Sequence, residues 1–383
     1  MIIIGNLTVD TAKVLDINPV PYLAAEAMTV NVGALLTPIA SIPNIIIQGE
    51  LETVTFGFHA VNLMPFSLLL IPITVLLLLK YFKVLDEPSE ERKTFLMEFS
   101  EWLVVSNRRL FNQSAILFSM MIGSFVILPN LFPRVDLWLL AVFFMFTFLS
   151  LPEIEVEAVL TELDWELIFF LIGLFIMVEG LNHRGILLRV AQAMKSVVGS
   201  NYILSLLVVL WFSSLASGVI DDIAVTVVLI PIVLELISPD SPLQAISVFI
   251  ITTLIISVNI GGNLTPMASP TTVLAMSLSK KTIHELTPKA FFKIGFFITI
   301  LQVGITTVYL LSVLTVTYYY GVSMGILNII VLFVAVTLYL QLFIRRNILT
   351  VVKAIRSRFS GFWGTIRDKW RGLLGKEKSE KVR

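Results

Sequence analysis

"NIGGNLTPMASP", Asn259 to Pro270, interrupts one of the most apolar parts of the chain: "VFIITTLIISV" runs into it and "VLAM" follows. Proline removes a backbone N–H and clashes with the preceding turn, and glycine lets the chain leave helical angles. A helix entering this stretch is therefore expected to unwind. If the surroundings are lipid, the freed carbonyls and amides must be buried in protein or line a wet cavity. There, half-helix C-termini and carbonyls suit a cation, and half-helix N-termini an anion. Asn259, Asn263, Thr265 and Ser269 add side-chain oxygens suited to a hard cation such as Na⁺.

The surroundings do read as lipid. Of 383 residues, 57% are hydrophobic and only 14% charged, with a mean hydropathy of +0.92. Runs of membrane-spanning length recur from Pro65–Tyr81 to Gly325–Ile344. About 20 apolar residues cross a bilayer as a helix, so roughly eight to ten crossings or part-crossings are expected. The fold class is thus an all-α integral membrane protein. With no cysteine, disulfides, thiolate metal sites and cysteine nucleophiles are excluded. The three histidines, His59, His183 and His284, are far apart, and no P-loop occurs, so neither a histidine metal site nor ATP hydrolysis is indicated.

Net charge is zero, but Ile344–Arg383 holds 12 Lys/Arg against three Asp/Glu. Its apolar stripe, Ile355, Phe359, Phe362, Ile366, Trp370 and Leu373, has helical spacing. This is expected to be an amphipathic cytoplasmic tail on anionic lipid, not a nucleic-acid binder. The connection Lys80–Arg109 carries Lys80, Lys83, Arg92, Lys93, Arg108 and Arg109, and is placed on the same side. If Tyr202–Leu236 is a re-entrant hairpin, the parity of the spans agrees with a cytoplasmic C-terminus.

The opening motif has a twin. "NVGALLTPIAS", Asn31–Ser41, matches "NIGGNLTPMAS", Asn259–Ser269, at seven of eleven positions, 228 residues apart. That distance is too long for a solenoid and points to a duplicated half. Many secondary transporters consist of two inverted halves, with Gly/Pro-interrupted segments at matching positions forming the site near the midplane. A second constellation, "SSLASGVIDDIAVTVVLIPIV", puts Asp221 and Asp222 inside an apolar, hairpin-like segment. An embedded acid is a functional candidate by default. Two adjacent carboxylates in low dielectric resist ionising together, which suits exchange of protons for a cation. Glu26, Glu179 and Glu235 are also embedded in apolar sequence.

These motifs resemble the ion transporter superfamily, in particular the arsenite-permease and NhaD-type sodium–proton antiporter branch, related to citrate and dicarboxylate carriers. "VNVGALLTPIASIPN", Val30–Asn44, keeps Asn31, Gly33, Thr37, Pro43 and Asn44 of that pattern, and "GGNLTPMASPTTV" is similar to its second-half counterpart. "SGVIDDIAVTVVLIPIV" resembles the family's hairpin, "DWELIFFLIGLF" its D-W segment, and "INPVPYLAAEA" also matches. The resemblance implies an inverted-repeat carrier with re-entrant hairpins and broken helices. Substrate and ion would sit between hairpin tips and broken-helix loops. The expected site residues are Asn31, Gly33, Thr37, Ser41, Asn44, Asp221, Asp222, Thr226, Asn259, Gly261, Gly262, Asn263, Thr265 and Ser269. Ser41 stands where the family has an acid, and Asp222 where it has Asn. This shift of charge favours cation or proton handling near the hairpin.

The expected organisation is a first repeat over 1–82, a cytoplasmic linker over 83–110 and a second repeat over 111–320. An extra span over 321–344 and the basic tail, 345–383, complete it. The expected activity is gradient-driven transport of a small ion: arsenite or another small anion, or Na⁺/H⁺ exchange. Na⁺ or H⁺ is the coupling ion, with no other cofactor and no catalytic set. Partners are the bilayer and the transported ion, with a homodimer, a separate ATPase or an N-terminal subunit as further candidates. The alternative is a non-transporting membrane subunit completed by a separate N-terminal part. It is raised because "MIIIGNLTVDTAKVLDINP" resembles only the end of a first-half hairpin.

Overall fold

A computed structural model describes residues 2–82, 107–132, 135–152, 154–163, 165–282 and 285–321, with 331 and 334. The basic tail, most of the expected linker and nearly all of the expected last span lie outside the described residues. The chain divides into two units, Met1–Thr315 and Val316–Arg383, and the architecture below is that of the first.

Among the described residues, all regular structure is helical. In the first half, α1 (Ile2–Leu15) leads to α2 (Val20–Gly33), α3 (Ile42–Glu50), α4 (Phe56–Asn62) and α5 (Met64–Phe82). The middle of the chain forms α6 (Arg108–Leu131), α7 (Leu137–Leu149), α8 (Val156–Glu162), α9 (Trp165–His183) and α10 (Ile186–Val198). Then follow α11 (Tyr202–Val219), α12 (Asp222–Leu236), α13 (Ser247–Gly261), α14 (Pro270–Ser279) and α15 (Pro288–Tyr320). Among the described residues, five helices are long and apolar enough to cross a membrane, or six if the α9–α10 pair, bent by 68°, is one span. The eight to ten expected from apolar runs counted part-crossings as well, and two shorter apolar helices, Val20–Leu36 and Leu137–Leu149, stand beside these spans. Leu137–Leu149 is too short to qualify, the Glu166–Val178 run belongs to the bent pair, and the last run is outside the described residues. The bend in that pair follows from Gly185, whose φ of 67° lies in the left-handed region.

The two sequence twins are the two broken helices. α2 tightens into a 3-10 turn at Ala34–Leu36, runs extended at Thr37, and restarts as α3. α13 ends at Gly261 and the chain restarts as α14 at Pro270. Each restart has a serine at the N-cap position and proline in the first turn, where its missing N–H does no harm; Ser41 caps with its side chain, accepting from Asn44 N, and Ser269 does not. Ser41 adopts φ −146°, ψ 156° and Ser269 φ −151°, ψ 154°. The turn before each serine is the same too: Ala40 N donates to Thr37 O, and Ala268 N to Thr265 O, both at 3.3 Å. The shared Thr, Ala and Ser thus form the same turn and the same extended serine in both breaks.

The arms pack crosswise. α2 lies against α14 and α3 against α13, so each helix's entry arm meets the other's exit arm. α11 and α12, joined by Ile220 and Asp221 alone, pack on each other as a hairpin. α11 runs along α13, and α12 packs on α3 and α13. α13 is consequently the most enclosed span, 72% buried over its window against 6% for α6.

Candidate functional site

Close packing at the second break depends on glycine. A Cβ on Gly261 would stand 2.6 Å from Ser214 O, and one on Gly218 2.4 Å from Leu264 Cβ. These two glycines let the hairpin arm α11 press onto the end of α13. Ser217 Oγ then reaches Val258 O at 2.8 Å, and Asp222 N bonds Ala268 O at 3.0 Å. The hairpin tip is thereby fixed on the loop between α13 and α14.

The breaks meet each other through side chains. Asn31 Nδ2 donates to Ser269 Oγ at 3.1 Å, and Ser41 Oγ donates to Asn259 Oδ1 at 2.9 Å. With the 228-residue offset these are the same pair with the halves exchanged. Such reciprocity is the mark of a local two-fold relation. Thr74 on α5 and Gln302 on α15, also 228 apart, bond to each other at 2.9 Å, as expected of equivalents near the axis. Duplicated halves related by a two-fold are what an inverted-repeat carrier requires.

Between the breaks and the hairpin tip lies a cavity of about 180 Å³. Its polar lining is Asn31, Ser41, Asn259, Ser269, Thr271 and Asp222; Val30, Ile42, Pro43 and Ile223 are among its apolar walls. Among the described residues, no basic side chain borders it. Asp222 is 6% exposed, and its Oδ1 has no hydrogen-bond partner. Asp221 points its carboxylate elsewhere, accepting from Ile223 N at 2.9 Å and Ala224 N at 3.0 Å as the N-cap of α12. The adjacent acids thus divide the work: one starts the helix and the other borders the cavity.

Other expected site residues stand behind the lining. Asn44, wholly buried, accepts from Asn259 Nδ2 at 2.7 Å and donates to Ala34 O at 2.7 Å and Thr37 O at 3.2 Å. Asn263 accepts from Asn31 Nδ2 at 2.9 Å. Thr226 donates its hydroxyl to Asp222 O at 2.6 Å. Gly262 is a close approach, since a Cβ there would meet Asn31 Nδ2 at 3.2 Å. Gly33, Thr37 and Thr265 are half-buried and do not border the cavity. Of the other embedded acids, Glu26 accepts from Thr8 Oγ1, Glu235 pairs with Lys195 at 2.9 Å, and Glu179 is exposed.

The carbonyls freed by the breaks were expected to face an ion. Several are instead met by side chains: Val32 O by Ser67 at 2.8 Å, Leu35 O by His59 at 3.0 Å, Pro266 O by Thr272 at 3.0 Å. The sequence reading missed these partners, and Thr271, which borders the cavity and donates to Asn31 Oδ1 at 2.8 Å. Thr271 directly follows the quoted motif, and the 228-residue offset relates Thr74 to Gln302. Nothing local marked His59 or Ser67, because their partners lie 24 and 35 residues away.

The family model described as citrate transporter matches residues 1–252. The chain is 24% identical over 310 residues to the "46 kDa membrane protein" of Mycobacterium leprae, covering 81% of this chain and 71% of that one. It is 26% identical over 319 residues, with the same coverages, to an "uncharacterized transporter" of Mycobacterium tuberculosis. The P protein of Mus musculus is 22% identical over 385 residues, which covers 81% of this chain and 46% of that protein. The chain belongs to the citrate transporter family: it is a multi-pass membrane carrier, a secondary transporter and not an enzyme.

Proposed function

We propose that this member of the citrate transporter family moves a small ion through the cavity between its two helix breaks, with a cation or proton held at Asp222. The observation that carries this is Asp222 Oδ1, buried without a hydrogen-bond partner, on a residue that borders a cavity with no basic residue among its described lining. A buried acid lacking a partner must be neutralised by a proton or a cation. An anion arriving alone would be drawn by the N-termini of α3, α12 and α14 that border the cavity and repelled by Asp222 whenever that acid is ionised. A small carboxylate therefore enters together with a cation or proton, and the ion gradient drives it. The volume, several times the ~30 Å³ share of one water, suits a small ion and not a bulky solute.

This reading differs from the arsenite and NhaD-type branch in naming a carboxylate as the cargo. The same cavity would serve Na⁺/H⁺ exchange if no anion is carried. The test is flux into proteoliposomes of the full chain with citrate, other dicarboxylates, arsenite and Na⁺ in turn, under imposed Na⁺ and pH gradients. Cation- or pH-dependent uptake of a carboxylate is expected. Uptake indifferent to both gradients would remove the reading.

One observation favours a second reading, a subunit completed by another polypeptide. Gly261 is packed by the hairpin, whereas its counterpart Gly33 has, among the described residues, nothing within 4 Å of where a Cβ would stand. Gradient-driven flux by this chain alone would dismiss it.

A further inference from the structure

We infer that Gln302, which does not border the cavity, decides which charge the cavity accepts by fixing which end of the Asn31 amide faces it. The inference rests on the reading that the cavity takes a cation. An amide offers oxygen at one end and N–H₂ at the other, and the network around it must choose between them. Here the choice is anchored at backbone carbonyls, which can only accept.

The chain of bonds starts on α5. Thr74 Oγ1 donates to Leu70 O at 2.8 Å. A hydroxyl has one proton, so Thr74 accepts from its other neighbour, Gln302 Nε2, at 2.9 Å. Gln302 thereby turns Oε1 toward Asn263, whose Nδ2 donates to it at 3.1 Å and to Met28 O at 3.3 Å. Asn263 Oδ1 is left to accept from Asn31 Nδ2 at 2.9 Å. Both N–H groups of Asn31 are then used, the second on Ser269 Oγ. Its Oδ1 is the end left for Thr271 and the cavity.

Gln302, Asn263 and Thr74 are all fully buried, so no solvent competes for these donors and acceptors. The opposite wall reaches the same result by its own anchors. Asn259 Nδ2 donates to Ile255 O at 2.8 Å and to Asn44 Oδ1, so Asn259 also keeps its oxygen for Ser41 and the cavity side. Asn259 donates only to groups behind the cavity, and Asn31 donates to Asn263 behind it and to the Ser269 hydroxyl in its lining. With Asp222 they leave a polar lining dominated by acceptors, which is a cation's environment. The Asn259 wall is anchored at a backbone carbonyl within its own helix turn, at 2.8 Å; the Asn31 wall has a longer backbone anchor, Met28 O at 3.3 Å, and the shorter bond to Gln302 of α15 at 3.1 Å reinforces it. Gln302 is thus a positioning residue for specificity, acting through Asn263.

The test compares Gln302→Met, which keeps the volume and removes the acceptor, with Gln302→Glu, which keeps an oxygen for Asn263. Na⁺ binding to the detergent-solubilised full chain is measured by calorimetry, with thermal unfolding and carboxylate uptake as companions. The Met variant is expected to bind Na⁺ about tenfold more weakly, the scale of one net hydrogen bond. Its half-saturation for the carboxylate should change by less than about twofold. The Glu variant should restore Na⁺ binding to within about twofold. Equal Na⁺ affinity in wild type and Gln302→Met would overturn the inference. So would equal losses in both variants, or a Met-variant loss spread uniformly over Na⁺ and carboxylate, since a structural role alone predicts those. Wild-type protein that binds no Na⁺ would remove the cation reading itself. A wild type that binds Na⁺ while Gln302→Met is unaffected would remove only the role of Gln302.

Discussion

Ser41 donates its hydroxyl to Asn259 Oδ1 at 2.9 Å, and the exchanged pair, Asn31 and Ser269, is bonded at 3.1 Å. The two contacts close the same gap from opposite sides, each joining the start of one break to the end of the other. A double-mutant cycle on Ser41→Ala and Asn259→Ala should give a coupling of about 0.5–3 kcal/mol, the usual range for residues in one network. A cycle on Asn31→Ala and Ser269→Ala should give a similar value. Unfolding monitored in detergent supplies both numbers. Coupling in one cycle and none in the other would contradict the two-fold relation.

Asp221 and Asp222 are adjacent in sequence and differ in what removing them does. Asp222→Asn should abolish cation- or pH-dependent uptake while leaving the melting temperature close to wild type. Asp221→Ala should retain gradient-dependent uptake but lose stability by about 1 kcal/mol, the worth of an N-cap. Proteoliposome flux and thermal unfolding on the same preparations decide it. A dead Asp221→Ala with an active Asp222→Asn would reverse the assignment.

Gly261 and Gly33 occupy equivalent positions with different neighbours. Gly261→Ala drives a methyl into Ser214 O and the Ser217 side chain, so a loss of about 1–3 kcal/mol is expected. Gly33→Ala meets open space and should be neutral or slightly stabilising. Melting temperatures of the two variants measure the contrast directly. Equal effects would mean that α11 does not press on α13 as described.

Lys195 holds Glu235 at 2.9 Å and Ser238 Oγ at 3.3 Å, tying α10 to the hairpin's second arm. The pair is roughly a third exposed on each side, so solvent screens it. Lys195→Met should cost no more than about 1 kcal/mol, falling further in high salt. A larger, salt-insensitive loss would show that the contact is more than a surface pair.

The broken helices were legible because the signal was doubled: one Gly/Pro interruption is a kink, but two with the same Asn, Thr, Pro and Ser specify one backbone twice. Asp222 was legible as an embedded acid. Its division of labour with Asp221 was not, because sequence does not say which of two adjacent carboxyls will cap a helix. Asn44 and Asn263 were expected to touch the ion, yet they orient the residues that border the cavity. Both kinds of asparagine look alike in sequence; only the pairing across more than 200 residues separates them. His59, Ser67 and Gln302 carried no local pattern, since their partners arrive from other helices.

The unwound turns are closed by the protein's own hydroxyls, amides and one imidazole: Val32, Ala34, Leu35, Thr37, Val258 and Pro266 all have a side-chain donor on their carbonyl. A break sealed in this way needs no solvent to stay open. Each carbonyl answered by a side chain is one fewer station for a file of water, which works against passive proton leak through the very turns that give the cargo its place to stop.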